Sequence, residues 1–193
     1  MAINKIEQGH SVTQKRDLYI YTDASFHYKT SGKSCGRGGI IVLDAAHNLK
    51  AAYMVNYLNQ NLKSNDEAEM LTMALGMSLC PDRTHILHGD NKLVVKTLET
   101  YVQTGNDCVT HQKQDGRSVT IQVPQIVKDV LNRQKSCLSG VTLRWVDREN
   151  LFIGIVDRIA GRAEFTAPGK LRQIPVLGSK PCVESLDMER VAP

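Results

Sequence analysis

Acidic residues at four separated positions of the sequence could act together at one site. Each lies near the end of a predicted strand or in a predicted helix, and the four are Asp23, Glu69, Asp90 and Asp157. Clustered carboxylates suit Mg²⁺, which prefers carboxylate oxygen and water as ligands. Two divalent ions about 4 Å apart can activate a water and hold the leaving oxygen during phosphodiester hydrolysis. Without metal, close carboxylates would repel one another, so the set indicates metal-assisted phosphoryl chemistry.

Five segments have the composition or the alternation of β-strands, and the first of them carries Asp23. They are residues 18–24, 38–44, 50–57, 85–90 and 141–146. The first segment alternates and is rich in aromatic and β-branched residues. It contains no Gly or Pro, so it can lie inside a sheet. Only the short turn Asp44–Asn48 separates the second segment from the third, which predicts an antiparallel meander for the first three strands.

The second acid lies in a helix with a clear start. Ser64 is the predicted N-cap, and Glu67 three residues later completes a capping box. An apolar stripe follows, and Pro81 ends the helix. Glu69 points about 200° around the helix axis from Glu67, so the two acids cannot serve the same site. Capping gives Glu67 a structural role and leaves Glu69 for chemistry.

Three further helices complete the predicted order β-β-β-α-β-α-α-β-α. They begin near Leu93, at Pro124 and near Phe152. Residues 103–124 separate the first two of these helices and are predicted to form an inserted loop or hairpin, with a short strand at Ser118–Val123. Residues 164–193 show no sustained period, and we predict a tail without an assigned element.

The composition restricts the cellular setting. The chain of 193 residues has a net charge of +4, which permits a polyanionic partner without requiring one. Its five cysteines are widely spread and include no CxxC pair, which favours reduced thiols over disulfides or a zinc site. Residues 1–17 lack the apolar core of a signal peptide, and the run Leu151–Val156 is too short to span a bilayer. We therefore predict a cytoplasmic protein without a membrane contact.

Four short motifs, taken together, resemble the acidic motifs of type 1 ribonuclease H. They are Asp23-Ala24-Ser25, Ser64–Glu69, Gly89–Val95, and Trp145-Val146 followed by Asp157–Ala160. The resemblance runs from about Leu18 to Ala163 and implies a ribonuclease H-like α/β fold. In that fold a five-stranded mixed sheet, with three antiparallel strands and then two parallel ones, is flanked by helices. The chain then divides into an N-terminal arm at 1–17, a catalytic domain at 18–163 and a C-terminal tail at 164–193.

The resemblance also implies an activity and partners. Members of the family are endonucleases that hydrolyse the RNA strand of RNA–DNA hybrids with two Mg²⁺ ions, for which Mn²⁺ can substitute. We accordingly expect this chain to bind an RNA–DNA hybrid, to act as a monomer and to need no organic cofactor.

Matching positions imply a role for each acid. Asp23 is expected to bridge both metal ions. Glu69 and Asp90 complete the shell of one ion, and Asp157 serves mainly the other. Family members often carry a histidine in the loop after the Trp-Val of the last strand, as a mobile proton carrier. This chain has Glu149 at that position, and we hypothesise that it takes over proton transfer or product release; an ordinary solvent-facing acid is the alternative.

Other positions are candidates for contacts with the nucleic acid. Ser25, Asn65 and Asn91 stand next to the acids and have donors and acceptors that could sense a 2′-OH through the minor groove. Lys128 and Arg133 lie where the basic protrusion of the family would be. That region is only mildly basic, because its cations Lys113, Arg117, Lys128, Arg133 and Lys135 are offset by Asp107, Asp115 and Asp129. We predict weak, salt-sensitive binding.

Two alternatives stay open. A DNA nuclease or junction resolvase of the same fold would also use clustered acids. Proofreading-type exonucleases place a Glu two residues after the first Asp, where this chain has Ser25, and resolvases generally act as dimers. A catalytically idle module of the same fold would bind nucleic acid or protein without needing Mg²⁺ or Mn²⁺ at the acids, so metal binding separates it from a nuclease.

Overall fold

The computed structural model describes residues 18–28, 34–58, 60–79, 84–112, 115–134, 138, 140–163 and 170–175. The predicted arm at 1–17 lies outside these ranges, as do most of the predicted tail, Lys113 and Lys135. In chain order the elements are β1 (Leu18–Tyr28), β2 (Ser34–Leu43), β3 (Leu49–Asn56), α1 (Asn65–Ser78), β4 (His85–Gly89), α2 (Lys92–Thr104), β5 (Cys108–Gln112), β6 (Ser118–Gln122), α3 (Gln125–Asn132), β7 (Val141–Trp145), α4 (Leu151–Arg162) and β8 (Leu171–Ile174). No described helix combines the length and the apolar character needed to cross a bilayer.

Six of the described strands form one mixed sheet in the order β7-β4-β1-β2-β3-β8. β1 pairs antiparallel with β2, and β2 pairs antiparallel with β3, as the short connection between β2 and β3 requires. β4 runs parallel to β1, and β7 runs parallel to β4. Three antiparallel strands followed by two parallel ones were predicted, and this α/β fold class is confirmed. β5 and β6 form a separate hairpin within the predicted insert.

The sheet differs from the expected five strands by the addition of β8. Leu171–Ile174 lie within the predicted tail and pair antiparallel with β3. Leu171 is buried, which anchors the strand to the core. A strand of four residues is too short to show a period, and the prolines around it obscure the pattern further. β8 forms because the edge of β3 offers backbone hydrogen bonds to another strand.

Each face of the sheet carries a layer of helix, and the alternation of β1 assigns side chains to the two layers. Leu18, Ile20 and Ala24 belong to the larger core, which includes side chains of α1, α2 and α3. Tyr21 belongs to a second, smaller cluster with Ile153 and Val156 of α4. Because side chains two residues apart share a face of a strand, Asp23 lies on the same side as Tyr21.

Two consecutive glycines of β2 let helices approach the sheet closely on both faces. A Cβ at Gly38 would lie 2.5 Å from Thr72 Oγ1 of α1, and a Cβ at Gly39 would lie 2.3 Å from the carbonyl oxygen of Val156 in α4. Contacts this short mean that a side chain at either position would force the neighbouring helix to shift. Gly39 is the register partner of Asp23, so the glycine that admits α4 stands beside the first acid.

Candidate metal centre

Parallel pairing of β1 with β4 brings the first and third acids together. The register pairs Tyr21 with His88, and Thr22 Oγ1 donates to the His88 carbonyl oxygen at 3.1 Å. Asp23 and Asp90 each follow that register pair by two residues. Their side chains therefore lie on the same face of the sheet, with Asp23 in the middle of β1 and Asp90 directly after β4.

The N-terminal turn of α1 supplies the second acid. Ser64 caps the helix through a hydrogen bond from the Glu67 N–H to its Oγ at 3.2 Å, as predicted. The Glu67 carboxylate accepts from the Lys63 N–H at 2.7 Å, one residue earlier than a standard capping box. Glu67 is thus engaged at the helix start. Glu69 is only 9% exposed and lies beside Asp23 and Asp90, so the two acids have different surroundings, and the chemical role of Glu69 stays a prediction.

Carboxylate oxygens of Asp23, Glu69 and Asp90 all lie within 4.8 Å of one another. These three residues also line a small cavity of about 10 Å³, together with Thr22, Met73, Gly89, Asn91 and Val94. A volume of that order holds one sphere of the size of a water molecule. The enclosed space between the acids is therefore suited to a single small ion or water.

Burial and mutual repulsion perturb two of the three acids. The pKa of Asp23 is raised to about 7, chiefly by burial and then by the Asp90 and Asp157 carboxylates, against the opposing effects of the Ala24 amide and Arg148. The pKa of Glu69 is likewise raised to about 8, chiefly by burial and also by its acidic neighbours, against the opposing effect of the Asn91 side chain. Near neutral pH the cluster without a cation consequently retains protons, because a second or third negative charge in this space is costly.

The donor set fits a hard divalent cation. Glu69 Oε1 accepts a hydrogen bond from the Asn65 amide, but Glu69 Oε2 is buried and has no hydrogen-bond partner. A buried carboxylate oxygen without a partner loses its solvation without compensation. A cation among three carboxylates would satisfy that oxygen and neutralise the repulsion, and oxygen-only ligation is what Mg²⁺ and Mn²⁺ favour.

Asp157 stands apart from this group. It lies on α4 and is exposed, and the three grouped acids do not include it. Its charge nevertheless contributes to the raised pKa of Asp23. The neighbouring Val156 contacts the sheet at Gly39, the register partner of Asp23. Asp157 therefore flanks the cluster from the α4 side, and its assignment as a ligand stays a prediction.

The loop from β7 to α4 is a short, hydrogen-bonded turn. The Val146 N–H donates to the Gly89 carbonyl oxygen at 3.1 Å, the Glu149 N–H donates to Asp147 Oδ1 at 2.9 Å, and Asn150 caps α4 by accepting from the Phe152 N–H at 2.9 Å. Glu149, the proposed substitute for a proton-carrying histidine, is exposed and is not part of the acid group.

Arg148, beside Glu149, is the residue of this loop that reaches an acid. Its Nε lies 3.5 Å from Asp90 Oδ2. The strand before the loop is tied to the same residue, since Trp145 Nε1 donates to the Asp90 carbonyl oxygen at 2.9 Å. Arg148 was not predicted from the sequence, because the family motif points to the position of the absent histidine, one residue later. A cation one residue away, in a loop that follows a strand bearing a site motif, was the available signal.

The polar residues expected to contact substrate have different surroundings. Asn91 caps α2 by accepting from the Leu93 and Val94 N–H groups, and its amide donates to Asp66 Oδ1 at 2.9 Å. Asn65 donates to Glu69. Both amides thus hold helix starts or acids in place. Ser25 is partly exposed and lies on the same face of β1 as Asp23. Their contacts with substrate remain predictions.

Of the two cations expected to bind phosphate, Lys128 already has an acidic partner. Its Nζ lies 2.7 Å from Asp107 Oδ2, which ties α3 to the start of the hairpin β5–β6. Arg133 is exposed at the end of α3. The structure therefore gives Lys128 an internal structural contact that the sequence did not suggest, while the role of Arg133 in binding is untested.

Comparison with known proteins shows the fold. No protein-family model matches the chain, and no curated protein matches it. Among solved structures, RNase H1 from the halophilic archaeon Halobacterium salinarum NRC-1 superposes with a TM-score of 0.50 at 14% identity, covering 78% of this chain and 99% of that one. The RNase H domain of prototype foamy virus gives a TM-score of 0.56 at 10% identity, covering 78% of this chain and 96% of that domain.

A third structure extends the comparison to a larger protein. The foamy viral protease-reverse transcriptase, solved in complex with an RNA/DNA hybrid, gives a TM-score of 0.57 at 8% identity and matches 86% of this chain. The match spans only 23% of that longer protein. The ribonuclease H-like fold expected from the acidic motifs is thus confirmed, at identities too low to transfer an activity.

Proposed function

We propose that this chain, which has the ribonuclease H fold, is a metal-dependent endonuclease that hydrolyses the RNA strand of RNA–DNA hybrids. The observation that carries the proposal is the group Asp23, Glu69 and Asp90, whose oxygens lie within 4.8 Å of one another. The buried, unpartnered Glu69 Oε2 points to a cation as the missing partner. An acid cluster kept only for stability would be unfavourable, because its members repel one another.

Asp23, Glu69 and Asp90 would hold the metal, and Asp157 would contribute from the opposite side. When bound, Mg²⁺ or Mn²⁺ supplies Lewis acidity, which makes a water nucleophilic and stabilises charge on the leaving oxygen. The protein itself fixes the ligands. Asn65 orients Glu69, and the Ala24 N–H holds Asp23 Oδ1 at 2.8 Å. Preorganised ligands avoid reorganisation during the reaction.

Protons on the cluster are part of the proposed cycle. Asp23 and Glu69, whose pKa values are raised to about 7 and 8, must release their protons before their oxygens can bind a cation. Burial of both side chains excludes bulk water from the ligand oxygens. The acids therefore bind metal in competition with protons, and we expect activity to increase as the pH rises through neutrality.

The proposal also specifies the substrate as an RNA–DNA hybrid. It is supported by the acidic motifs and by the fold shared with RNase H1 and with a reverse transcriptase solved on an RNA/DNA hybrid. Ser25 lies on the same strand face as Asp23 and is partly exposed, which supports the proposal that it contacts a 2′-OH. We further propose a monomer that acts in the cytoplasm.

The test is cleavage of a labelled RNA–DNA hybrid in Mg²⁺ or Mn²⁺, beside double-stranded RNA, double-stranded DNA and a four-way junction. Asp23→Asn controls for a contaminating nuclease. Cutting confined to the RNA strand of the hybrid, and lost in Asp23→Asn, supports the proposal. Cleavage of the junction instead would indicate a resolvase. A folded protein that cuts none of these substrates and binds no Mn²⁺ would indicate a binding module.

A further inference from the structure

We propose that Arg148 contacts a phosphate of the nucleic acid at the acid cluster, having exchanged Asp90 for that phosphate once a metal ion is bound. The inference rests on the proposed function and adds to it a substrate-contacting residue. The resemblance of the motifs suggests a proton carrier at Glu149 in this loop; the residue before it, Arg148, adds a permanent positive charge beside Asp90.

The position of Arg148 is set by the surrounding backbone. Hydrogen bonds within Asp147–Asn150 close the turn, and Asn150 caps α4. Before the turn, Trp145 and Val146 are bonded to the backbone of Asp90 and Gly89 at the end of β4. A long side chain on this turn therefore starts from a point that is tied to the Asp90 strand end.

The contact of Arg148 with Asp90 is of a kind that exchanges readily. One guanidinium nitrogen lies 3.5 Å from Asp90 Oδ2, and the Arg148 side chain is 85% exposed whereas that of Asp90 is 10% exposed. A single long contact by an exposed arginine is a weak ion pair. The guanidinium has five N–H donors, so most of its donors remain open to solvent and available to another anion.

A divalent ion held by the acids would weaken that ion pair, because the Asp90 carboxylate would be neutralised. The Arg148 guanidinium would then lack the anion that it contacts in the metal-free protein. The next anion to reach the site is a phosphodiester of the substrate. Arginine is suited to this contact because its planar fork matches two phosphate oxygens. Because arginine stays protonated in proteins, Arg148 would stabilise negative charge and would not transfer a proton.

The test compares Arg148→Gln and Arg148→Lys with Arg172→Gln. Arg172 is an exposed arginine on β8, at the opposite edge of the sheet from β7, so the control makes the same charge change far from the acids. Two binding measurements accompany turnover. Mn²⁺ affinity is measured on the protein alone, and hybrid affinity is measured against salt in Ca²⁺, after checking that the hybrid stays intact.

We expect Arg148→Gln to bind Mn²⁺ up to about fivefold more tightly, because a competing surface ion pair is removed. We expect the slope of log affinity for the hybrid against log salt to fall by about one, which corresponds to one lost phosphate contact. Turnover at saturating Mn²⁺ should fall about 100-fold. Arg148→Lys should retain part of the binding and of the turnover, and Arg172→Gln should match the wild type.

The results distinguish a phosphate contact of Arg148 from a role as a counterion of Asp90. A salt slope in Arg148→Gln equal to that of Arg172→Gln overturns the phosphate contact; if Mn²⁺ affinity still rises, Arg148 is only a counterion of Asp90. A reduced slope supports the contact. If the wild type binds hybrid but cuts nothing, a reduced slope still supports the contact while the proposed function fails. If the wild type binds no hybrid, both proposals fail.

Discussion

Where β1, α1 and the residue after β4 meet, three carboxyl groups face one another, whereas around the hairpin β5–β6 acids are matched with cations. Asp107 pairs with Lys128, and Asp115 pairs with Arg117. The same side-chain type therefore has opposite surroundings in two parts of one chain. In the hairpin an acid holds elements together, and its pKa is lowered by its partner, as Lys128 lowers that of Asp107. In the acid cluster, burial and then the neighbouring carboxylates raise the pKa of Asp23 and of Glu69, and a buried oxygen of Glu69 has no partner.

The comparison teaches how to separate a structural charge from a functional one. A paired acid stabilises the fold as it stands, so nothing further needs to bind it. Acids that destabilise the fold in isolation are retained at a site where a ligand compensates them, and strongly perturbed carboxyls are common at functional sites for this reason. The following changes test that separation.

Removing one carboxylate from the cluster should have the largest effect. We expect Glu69→Gln to weaken Mn²⁺ binding more than about 100-fold, since losing a ligand costs more than losing a residue that merely supports one. At pH 9, where the wild-type carboxyl is ionised, the same variant should have a higher free energy of unfolding, because like-charge repulsion is relieved. Calorimetric titration and urea unfolding of the metal-free protein measure the two effects. A variant less stable than the wild type at pH 9 would contradict the account of repulsion.

Displacing α4 should damage the site without touching an acid. In Gly39→Ala the added Cβ would lie 2.3 Å from the Val156 carbonyl oxygen, so α4 must shift. We expect a loss of about 1–3 kcal/mol in the free energy of unfolding and a lower turnover. Gly154→Ala is the matched control on α4, since a Cβ there meets no atom within 4 Å. Alanine should stabilise that helix position by about 0.5–1 kcal/mol. Equal effects of the two variants would argue against close packing at Gly39.

The stability of the metal-free protein should fall as the pH rises. The pKa of Asp23 is raised from 3.8 to about 7 and that of Glu69 from 4.5 to about 8. Between about pH 4 and pH 8 the folded chain therefore binds more protons than the unfolded chain, and its advantage is lost across that window. We expect a fall of several kcal/mol, because each unit of pKa difference corresponds to about 1.4 kcal/mol, followed by a plateau.

Metal reverses the sign of that dependence. Mn²⁺ affinity should increase over the same pH range, because protons leave the ligands when the ion binds. Urea unfolding at several pH values, with Mn²⁺ and with a chelator, records both trends. A stability that rises with pH in the chelator would show that the carboxyls are not protonated as described.

Breaking the ion pair in the hairpin region should have the smallest effect. We expect Asp107→Asn to lower the melting temperature slightly, because exposed ion pairs contribute little. Mn²⁺ affinity should stay within about twofold of the wild type, since distant sites act independently. Differential scanning calorimetry and Mn²⁺ titration measure these two quantities. A large change in Mn²⁺ affinity would show that the hairpin region and the acid cluster are coupled, which would contradict the distinction drawn between them.

Much of the fold could be predicted because its signals are local. The alternation of Leu18–Ser25, the cap at Ser64 and the proline at the start of α3 each depend on a few neighbouring residues, and each marks an element in the structure. The short strand β8 was missed, since four residues among prolines carry no period. Its pairing with β3 depends on an edge that only the folded sheet provides.

The candidate site could be predicted as a set of residues but not as an arrangement. The choice of Glu69 over Glu67 followed from capping geometry and agrees with the structure. The separation of Asp157 from the other acids did not follow from the sequence, nor did the contact of Arg148 with Asp90. Both depend on how closely α4 and its loop approach the sheet.

The sequence by itself determined which elements form and which acids they carry, because strand period, helix capping and turn length act over a few residues. Only the tertiary structure decided which acids meet. Asp23 and Asp90 are joined by the register of β1 with β4, and Gly39 admits α4 beside them. Proximity across the chain depends on packing and register, and with proximity come the raised pKa values and the unpartnered oxygen that indicate a metal site.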